Sequence, residues 1–364
     1  MPENQIEKSW ADYCQSEIAK LKPILHNLGF SLAEEQIHIG GERYAFFSAK
    51  KLVLVGRQIK DNLKVIIKVA SDAQGVNEIN HERNCRHILE KVKFAQQVFF
   101  FPPEILFTEK EGCTILVTTF IEQETTFLNR PQEEQFFLSL KGLEAQEGVQ
   151  ATTYEHAQVI RKTFGLWRSD DYLRKFFEYW TDITKTLFKQ GELDDVLARA
   201  DKFLATNVKS IDLYADFLTH WDFVPHNFRV KNNNIYLLDH SSFRFGNKHE
   251  SWARFINFMV LYNPQLATNL IAYIKLNREP SELISLRLMR IFRLGEIMQH
   301  YVKTIPRASA DLKILNQERV NFWAKVLESV LDDKELDLKV VEEYKKKRDI
   351  LRTPEEKKRQ EKLH

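Results

Sequence analysis

The sequence predicts an α+β chain in two lobes, a small one built on an antiparallel sheet and a larger one made mainly of helices. Three observations carry that expectation. Between residues 35 and 121, short β-branched and apolar runs alternate with tight polar turns, the pattern of strands joined by hairpins. From residue 122 to 335, apolar residues recur at steps of three and four, the helical period. Within that helical stretch, residues 218–243 break into two short apolar runs around an Asn-rich turn, a lone hairpin with polar side chains crowded at one end. A chain of 364 residues has room for a core in each lobe.

Residues 1–34 open the chain with a helix. Ile6, Trp10, Tyr13, Cys14, Ile18, Leu21, Leu25 and Leu28 mark one face, Pro23 is expected to bend it, and Gly29 to stop it. Strand character is expected from Ile37 to Ala70. Leu52–Val55 and Val65–Val69 are its clearest runs, separated by the turn Lys60-Asp61-Asn62. Lys68 sits in V-I-I-K among aliphatic neighbours, and a buried ammonium needs a partner. The following helix offers Glu82, which shares a face with Ile79, Cys85, Leu89 and Val92, with Glu78 as second choice. The alternative is that Lys68 snorkels to solvent at the strand end. Two more strands, Glu104–Thr108 and Cys113–Ile121, complete a first lobe of five strands and one helix that ends near Ile121.

Helical spacing then marks Glu133–Leu143, Ala157–Trp167 and the strongly aromatic Tyr172–Lys189, whose rings read as core. The acidic pairs Asp170-Asp171 and Asp194-Asp195 read as solvated caps. An acidic rim for a cationic amine is the other reading of such residues, with Asp212 and Asp216 better placed for it.

The most informative stretch runs L-T-H-W-D-F-V-P-H-N-F-R-V-K-N-N-N-I-Y-L-L-D-H-S-S-F. Its hairpin sets Asp222 and Asn227 at one end of the first strand and Asp239 at the adjoining end of the second. Three oxygen-bearing side chains then converge on one small volume, as a hard divalent cation and a proton acceptor require. A buried hairpin whose Asp and Asn cap turns would carry some of the same residues.

The spacing H-x-D-x-x-P-x-N from His220 to Asn227, with Asp239 beyond it, resembles the catalytic loop of the protein-kinase-like phosphotransferases. It is most similar to the aminoglycoside phosphotransferase and choline kinase branch, of which Pro225 is typical. V-I-I-K resembles the strand motif V-A-I-K of kinases, and L-V-T-T-F-I-E, Leu116–Glu122, resembles their inter-lobe hinge. From Lys68 to Asp239 the resemblance spans about half of the chain. It implies a protein-kinase-like fold and Mg²⁺-dependent transfer of the γ-phosphoryl group of ATP to a hydroxyl. Asp222 would orient that hydroxyl and accept its proton, while His220 would brace the loop. Asn227 and Asp239 would hold Mg²⁺, and Lys68, fixed by Glu82, would face the α/β-phosphates. Main-chain groups of Thr119 and Ile121 would contact adenine, with Thr118 beside them.

The chain departs from that pattern in places. Kinase-like counting puts the phosphate loop at Phe46–Lys51, which has no glycine; Ser48 and Ala49 are small there and Lys50 and Lys51 add positive charge, with Gly40-Gly41 as the alternative. Arg229 replaces the apolar side chain that usually floors the adenine pocket, and Glu250 or Ser251 replaces a later Asp. The other implied role is a nucleotide-binding pseudokinase module without turnover. Trp221 and Val224 stand where protein kinases place Arg and Lys, and no long segment follows Asp239-His240-Ser241. The expected acceptor is therefore a small hydroxyl compound, in a pocket built by the inserted helices 125–217.

Composition limits the remaining possibilities. A hydrophobic content of 43% and a net charge of +2 give no reason to expect nucleic acid or a membrane as partner. Cys14, Cys85 and Cys113 are far apart, which fits free thiols in a reducing cytoplasm and argues against zinc. Residues 336–364 are dominated by charge, and are expected to form an exposed helix that frays into a disordered tail.

Overall fold

The computed structural model describes residues 3–46, 49–91, 99–152, 157–187 and 191–363. Helix α1, Glu3–Asn27, runs on through Pro23 and ends before Gly29, whose φ of 86° suits a glycine. Strand β1, Phe30–Leu32, follows, then a turn region, the short helix α2, Arg43–Phe46, and strands β2, Leu52–Gln58, and β3, Lys64–Ala70. Helix α3, Ala73–Lys91, crosses to β4, Phe99–Phe100, and the hairpin β5, Glu104–Lys110, and β6, Cys113–Thr119. The first sheet is antiparallel, in the order β1-β2-β3-β6-β5. Its edge strand β1, Phe30–Leu32, has only three residues, too few to show alternation in sequence. The strand character expected from Ile37 is replaced there by turns and α2.

Alternation along β3 divides the sheet into two faces. Val65, Ile67 and Val69 are buried with Leu21, Ile24 and Leu25 of α1. Each such aliphatic side chain contributes about 1.5–3 kcal/mol when fully buried. Ile66 and Lys68 point the opposite way, and register sets Lys68 opposite Val53 on β2 and Leu116 on β6. The polar-looking lysine of V-I-I-K is thus on the open face.

The second lobe packs α4, Gln132–Thr152, α5, Ala157–Phe164, α6, Ser169–Thr186, α7, Gly191–Thr206, and α8, Val208–Leu213, with later helices around one large core. Phe176, Trp252, Phe255 and Phe292 are fully buried in it. Strand β7, Phe217–His220, leads to the hairpin of β8, Phe228–Lys231, and β9, Asn234–Leu237, and then to β10, Phe243–Gly246. β10 returns to pair with β7, and β4 adds to β9 in parallel. Helices α9, His249–Tyr262, α10, Pro264–Asn277, α11, Pro280–Thr304, and α12, Ala310–Leu331, complete the lobe.

The charged end of the chain differs from expectation. It forms α13, Leu338–Leu351, and α14, Pro354–Leu363, and its packing is not that of a frayed tail. Val341 and Tyr344 are buried, and Glu356 is fully enclosed. Glu356 accepts the main-chain N–H of Glu42 at 3.1 Å and two hydrogen bonds from Arg359. Gly41, at φ 65°, lies so close that a Cβ there would strike the Glu356 carboxylate. Glu42 in turn is paired with Arg319 of α12 at 2.8 Å. Helices α12 and α14 are thereby tied to residues 41–42, between β1 and β2 of the first sheet. Among the described residues, no helix is long and apolar enough to cross a membrane.

Candidate active site

The open face of the first sheet and the β8–β9 hairpin border a cleft of about 510 Å³. Its apolar walls include Val53, Ile66, Leu116 and Leu238, and its polar groups include Lys68, Asp222, Asn227 and Asp239. On the sheet side, Lys68 donates to Glu82 of α3. Glu78, the second choice as partner, reaches Lys51 at 2.8 Å instead. Burial opposes ionisation of Glu82, but Lys68 and His240 outweigh it and hold the carboxyl far below the usual carboxylate range. His240 Nδ1 lies 3.9 Å from Glu82, and its ring meets Phe101 edge-on. The residue after Asp239 therefore touches the partner of Lys68.

On the hairpin side the turn chemistry fixes the loop. Pro225 restricts Val224 to an extended conformation and opens the single turn Pro225–Asn227. That turn brings the Asn227 amide back to Asp222, donating to its main-chain oxygen at 2.9 Å and to Oδ2 at 2.7 Å. With its N–H₂ so used, Asn227 keeps its amide oxygen as a donor atom for a cation. Asp222 Oδ1 accepts from Arg254 Nε of α9 at 2.8 Å. Burial raises the Asp222 pKa, but Arg254, His226 and Arg293 more than offset it, leaving a carboxyl at about 2.

Asp239 has a left-handed backbone, φ 48°, which Asp tolerates better than most residues. Its carboxylate accepts hydroxyls from Ser241 at 2.7 Å and Ser242 at 2.5 Å. His220 is completely buried, and its Nε2 meets the Leu238 carbonyl at 3.3 Å, one residue before Asp239. It packs edge-on against Phe243 at 4.8 Å, and its main-chain N–H is held by Gln146 at 2.8 Å. Burial pushes its imidazole pKa down, so the ring serves as a neutral strut. Oxygen donors from one amide and one carboxylate suit Mg²⁺, which takes few protein ligands and completes its shell with phosphate and water.

The remaining expected residues are distributed unevenly. Thr118, Thr119 and Ile121 line the cleft, and the Thr119 N–H already donates to Pro103 at 2.9 Å. Lys50 is absent from the described lining; its main-chain N–H meets Asp72 at 3.1 Å and its ammonium stands over Tyr13. Ala49 and Lys51 line the cleft in its place. Ser48 lies outside the described residues. Gly41 abuts Glu356 rather than the cleft. Arg229 lines the cleft, with its guanidinium held by the carbonyls of His226 and Phe228. Glu250 is buried and accepts from Arg244 at 2.8 Å, a local brace, and Arg244 covers Trp167.

A second cavity, about 810 Å³, opens on the other side of Asp222. It shares Asp222, His226, Arg43, Phe46 and Arg359 with the cleft. No described residue between 125 and 217 lines it, although those helices were expected to build the pocket beside Asp222. It is formed by residues 42–46, the loop at Trp221, and helices α9 and α11–α14. Asp212 is occupied by Ser169 at 2.9 and 2.7 Å, and Asp216 by Arg168 and Arg161, so the acidic rim is absent from this cavity.

Arg254, His240 and the second cavity were missed in the sequence. Their partners lie tens to hundreds of residues away, and no local spacing marks them.

No family model and no curated protein sequence matches the chain. Solved structures do match. A thermostable variant of aminoglycoside phosphotransferase APH(4)-Ia, in complex with ADP and hygromycin B, aligns with a TM-score of 0.58 at 15% identity, covering 85% of this chain and 97% of that one. ADP-bound aminoglycoside phosphotransferase APH(2'')-Ib aligns at 0.51 and 13%, covering 79% and 95%. The apoenzyme of macrolide 2'-phosphotransferase MphH from Brachybacterium faecium aligns at 0.51 and 12%, covering 84% and 98%. The fold of this chain is the two-lobed, protein-kinase-like fold of those phosphotransferases.

Proposed function

We propose that the protein is a small-molecule kinase that transfers the γ-phosphoryl group of ATP to an acceptor hydroxyl. The observation that carries the reading is the convergence on one cleft of the Lys68–Glu82 pair, the Asp222–Asn227 loop and Asp239. A capped structural hairpin would not call for a lysine pair on the facing sheet. The fold-level likeness to proteins solved with ADP points the same way.

In this reading adenine lies against Val53, Ile66 and Leu116 near the main chain of Thr119–Ile121. Lys68 faces the α/β-phosphates, with Lys51 as the added charge near the phosphate loop. Asn227 and Asp239 would hold Mg²⁺, which neutralises phosphate charge when bound. Asp222 orients the acceptor oxygen toward the γ-phosphorus. It takes the hydroxyl proton as the new P–O bond forms and ADP leaves. A carboxyl held at about 2 is a weak base, so orientation is its larger part; phosphoryl transfer needs little proton abstraction before the bond is made. His220 holds Leu238, and through it the position of Asp239.

The test separates binding from turnover. Asp222→Asn is expected to keep its thermal shift with ATP and Mg²⁺ while losing acceptor-dependent ADP release. Asp239→Ala is expected to lose the shift itself. A wild-type protein that shows no shift with millimolar ATP and Mg²⁺ would overturn the kinase reading.

A further inference from the structure

We infer that the acceptor is an anion, a small hydroxyl compound that also carries a phosphate or carboxylate group, and that it is seated in the second cavity by Arg293. This deepens the kinase reading and rests on it. The cavity adjoins the nucleotide cleft at Asp222, so a molecule within it can present a hydroxyl to that carboxylate.

The charge of the lining is the first argument. Eight Arg or Lys side chains border the cavity against four carboxylates. Each of the four has a cationic partner: Asp222 with Arg254, Glu42 with Arg319, Glu356 with Arg359 and Glu296 with Arg293. Lys303 is paired with Asp182, outside the lining, at 3.1 Å; the charge of the lining is still positive, and each of its carboxylates already has a cationic partner. Like charges brought together in a half-enclosed site repel strongly, which disfavours a polycationic acceptor.

Arg293 is the second argument. It is 2% exposed, on α11, and its guanidinium lies 5.3 Å from the Trp221 ring. Its Nη1 is in ion-pair contact with Glu296, and its Nε is buried without a hydrogen-bond partner. Buried guanidinium N–H groups without acceptors are costly, and their planar fork matches a carboxylate or phosphate with two parallel bonds. Arg352, also in the lining, has a buried Nε with no hydrogen bond. An acceptor's anionic group would satisfy these donors while its hydroxyl reaches Asp222.

The experiment uses the full chain saturated with a non-hydrolysable ATP analogue and Mg²⁺, and measures binding of inorganic phosphate and of citrate by thermal shift. Both are expected to protect the wild type, and Arg293→Gln to weaken that protection on the order of tenfold while leaving the shift caused by the nucleotide unchanged. Arg307→Glu, an exposed change at the cavity mouth, gives the same direction should Arg293→Gln fold poorly. Turnover is then scored as ADP release on matched sets: neutral sugars and polyols, their phosphomonoesters, their acid forms, and hygromycin B. Turnover confined to the phosphomonoesters or to the acids supports the inference and separates the two sources of charge. Nucleotide binding without any anion effect would overturn it, as would turnover of neutral or cationic acceptors alone. Failure to bind nucleotide would instead sink the kinase reading.

Discussion

Arg254 Nε donates to Asp222 Oδ1 at 2.8 Å, on the side of the carboxylate away from the Asn227 amide. Each oxygen of Asp222 is thus held by a different element, Oδ1 by α9 and Oδ2 by the loop's own turn. An ionised, fixed carboxylate follows, at the junction of two cavities.

The first prediction concerns that pair. Asp222 has a folded pKa depressed from 3.8 to about 2. Its ionisation contributes stability that is complete above pH ~4 and lost as the pH falls toward 2. In Arg254→Leu, burial acts with less opposition, so the Asp222 pKa rises. The acid limb of kcat/KM should move to higher pH, and turnover at neutral pH should fall by roughly 10²-fold through lost positioning. A lower rate with an unmoved acid limb would show that Arg254 does not govern this carboxylate.

The second prediction concerns Lys68, Glu82 and His240. Removing either member of the pair leaves the other charge in a poorly hydrated place, so single substitutions cost more than half of the double. On ATP affinity, Lys68→Ala and Glu82→Ala should be strongly non-additive, with a coupling of about 1–3 kcal/mol. His240→Ala should weaken ATP binding less, since it touches Glu82 only at 3.9 Å. Additive losses measured by calorimetry would mean that the pair does not act as one unit.

What the sequence made legible is what local periodicity encodes. Lys68 was readable because a lysine among the aliphatic neighbours of V-I-I-K needs a partner, and Glu82 because it falls on the face of Ile79 and Cys85. The β8–β9 hairpin was readable from its Asn-rich turn, which uses left-handed Asn232 and Asn233. β1 was too short to alternate, and Lys51, not Lys50, faces the cleft because one step along the chain reverses a side chain. Arg254 reads as an ordinary helical arginine until its partner 32 residues earlier is known. The second cavity draws on residues from 42 to 360, so no window of sequence contains it. Tail composition misled for the same reason: Glu356 is compensated by a main-chain N–H 314 positions away.

The last prediction follows from that contact. Glu356 is fully buried, yet its two oxygens accept from Glu42, Arg359 and Gln360. Burial alone would raise its pKa; Arg359 and the other donors reverse this, and the carboxyl titrates below its ordinary value. Glu356→Ala leaves the Arg359 guanidinium and the Glu42 N–H without their acceptor, an effect of about 3 kcal/mol for a broken buried pair. Glu355, its exposed neighbour, carries the same charge and none of these bonds, so Glu355→Ala should stay within about 0.5 kcal/mol of the wild type. Gly41→Ala should approach the Glu356→Ala loss by a different route, since its Cβ would strike that carboxylate and its φ of 65° disfavours any side chain. Because Arg359 borders both cavities, Glu356→Ala should also reduce the thermal shift given by ATP and Mg²⁺. Urea unfolding midpoints of the three variants decide the matter: equal midpoints for Glu356→Ala and Glu355→Ala would show that α14 is not fastened to the first lobe.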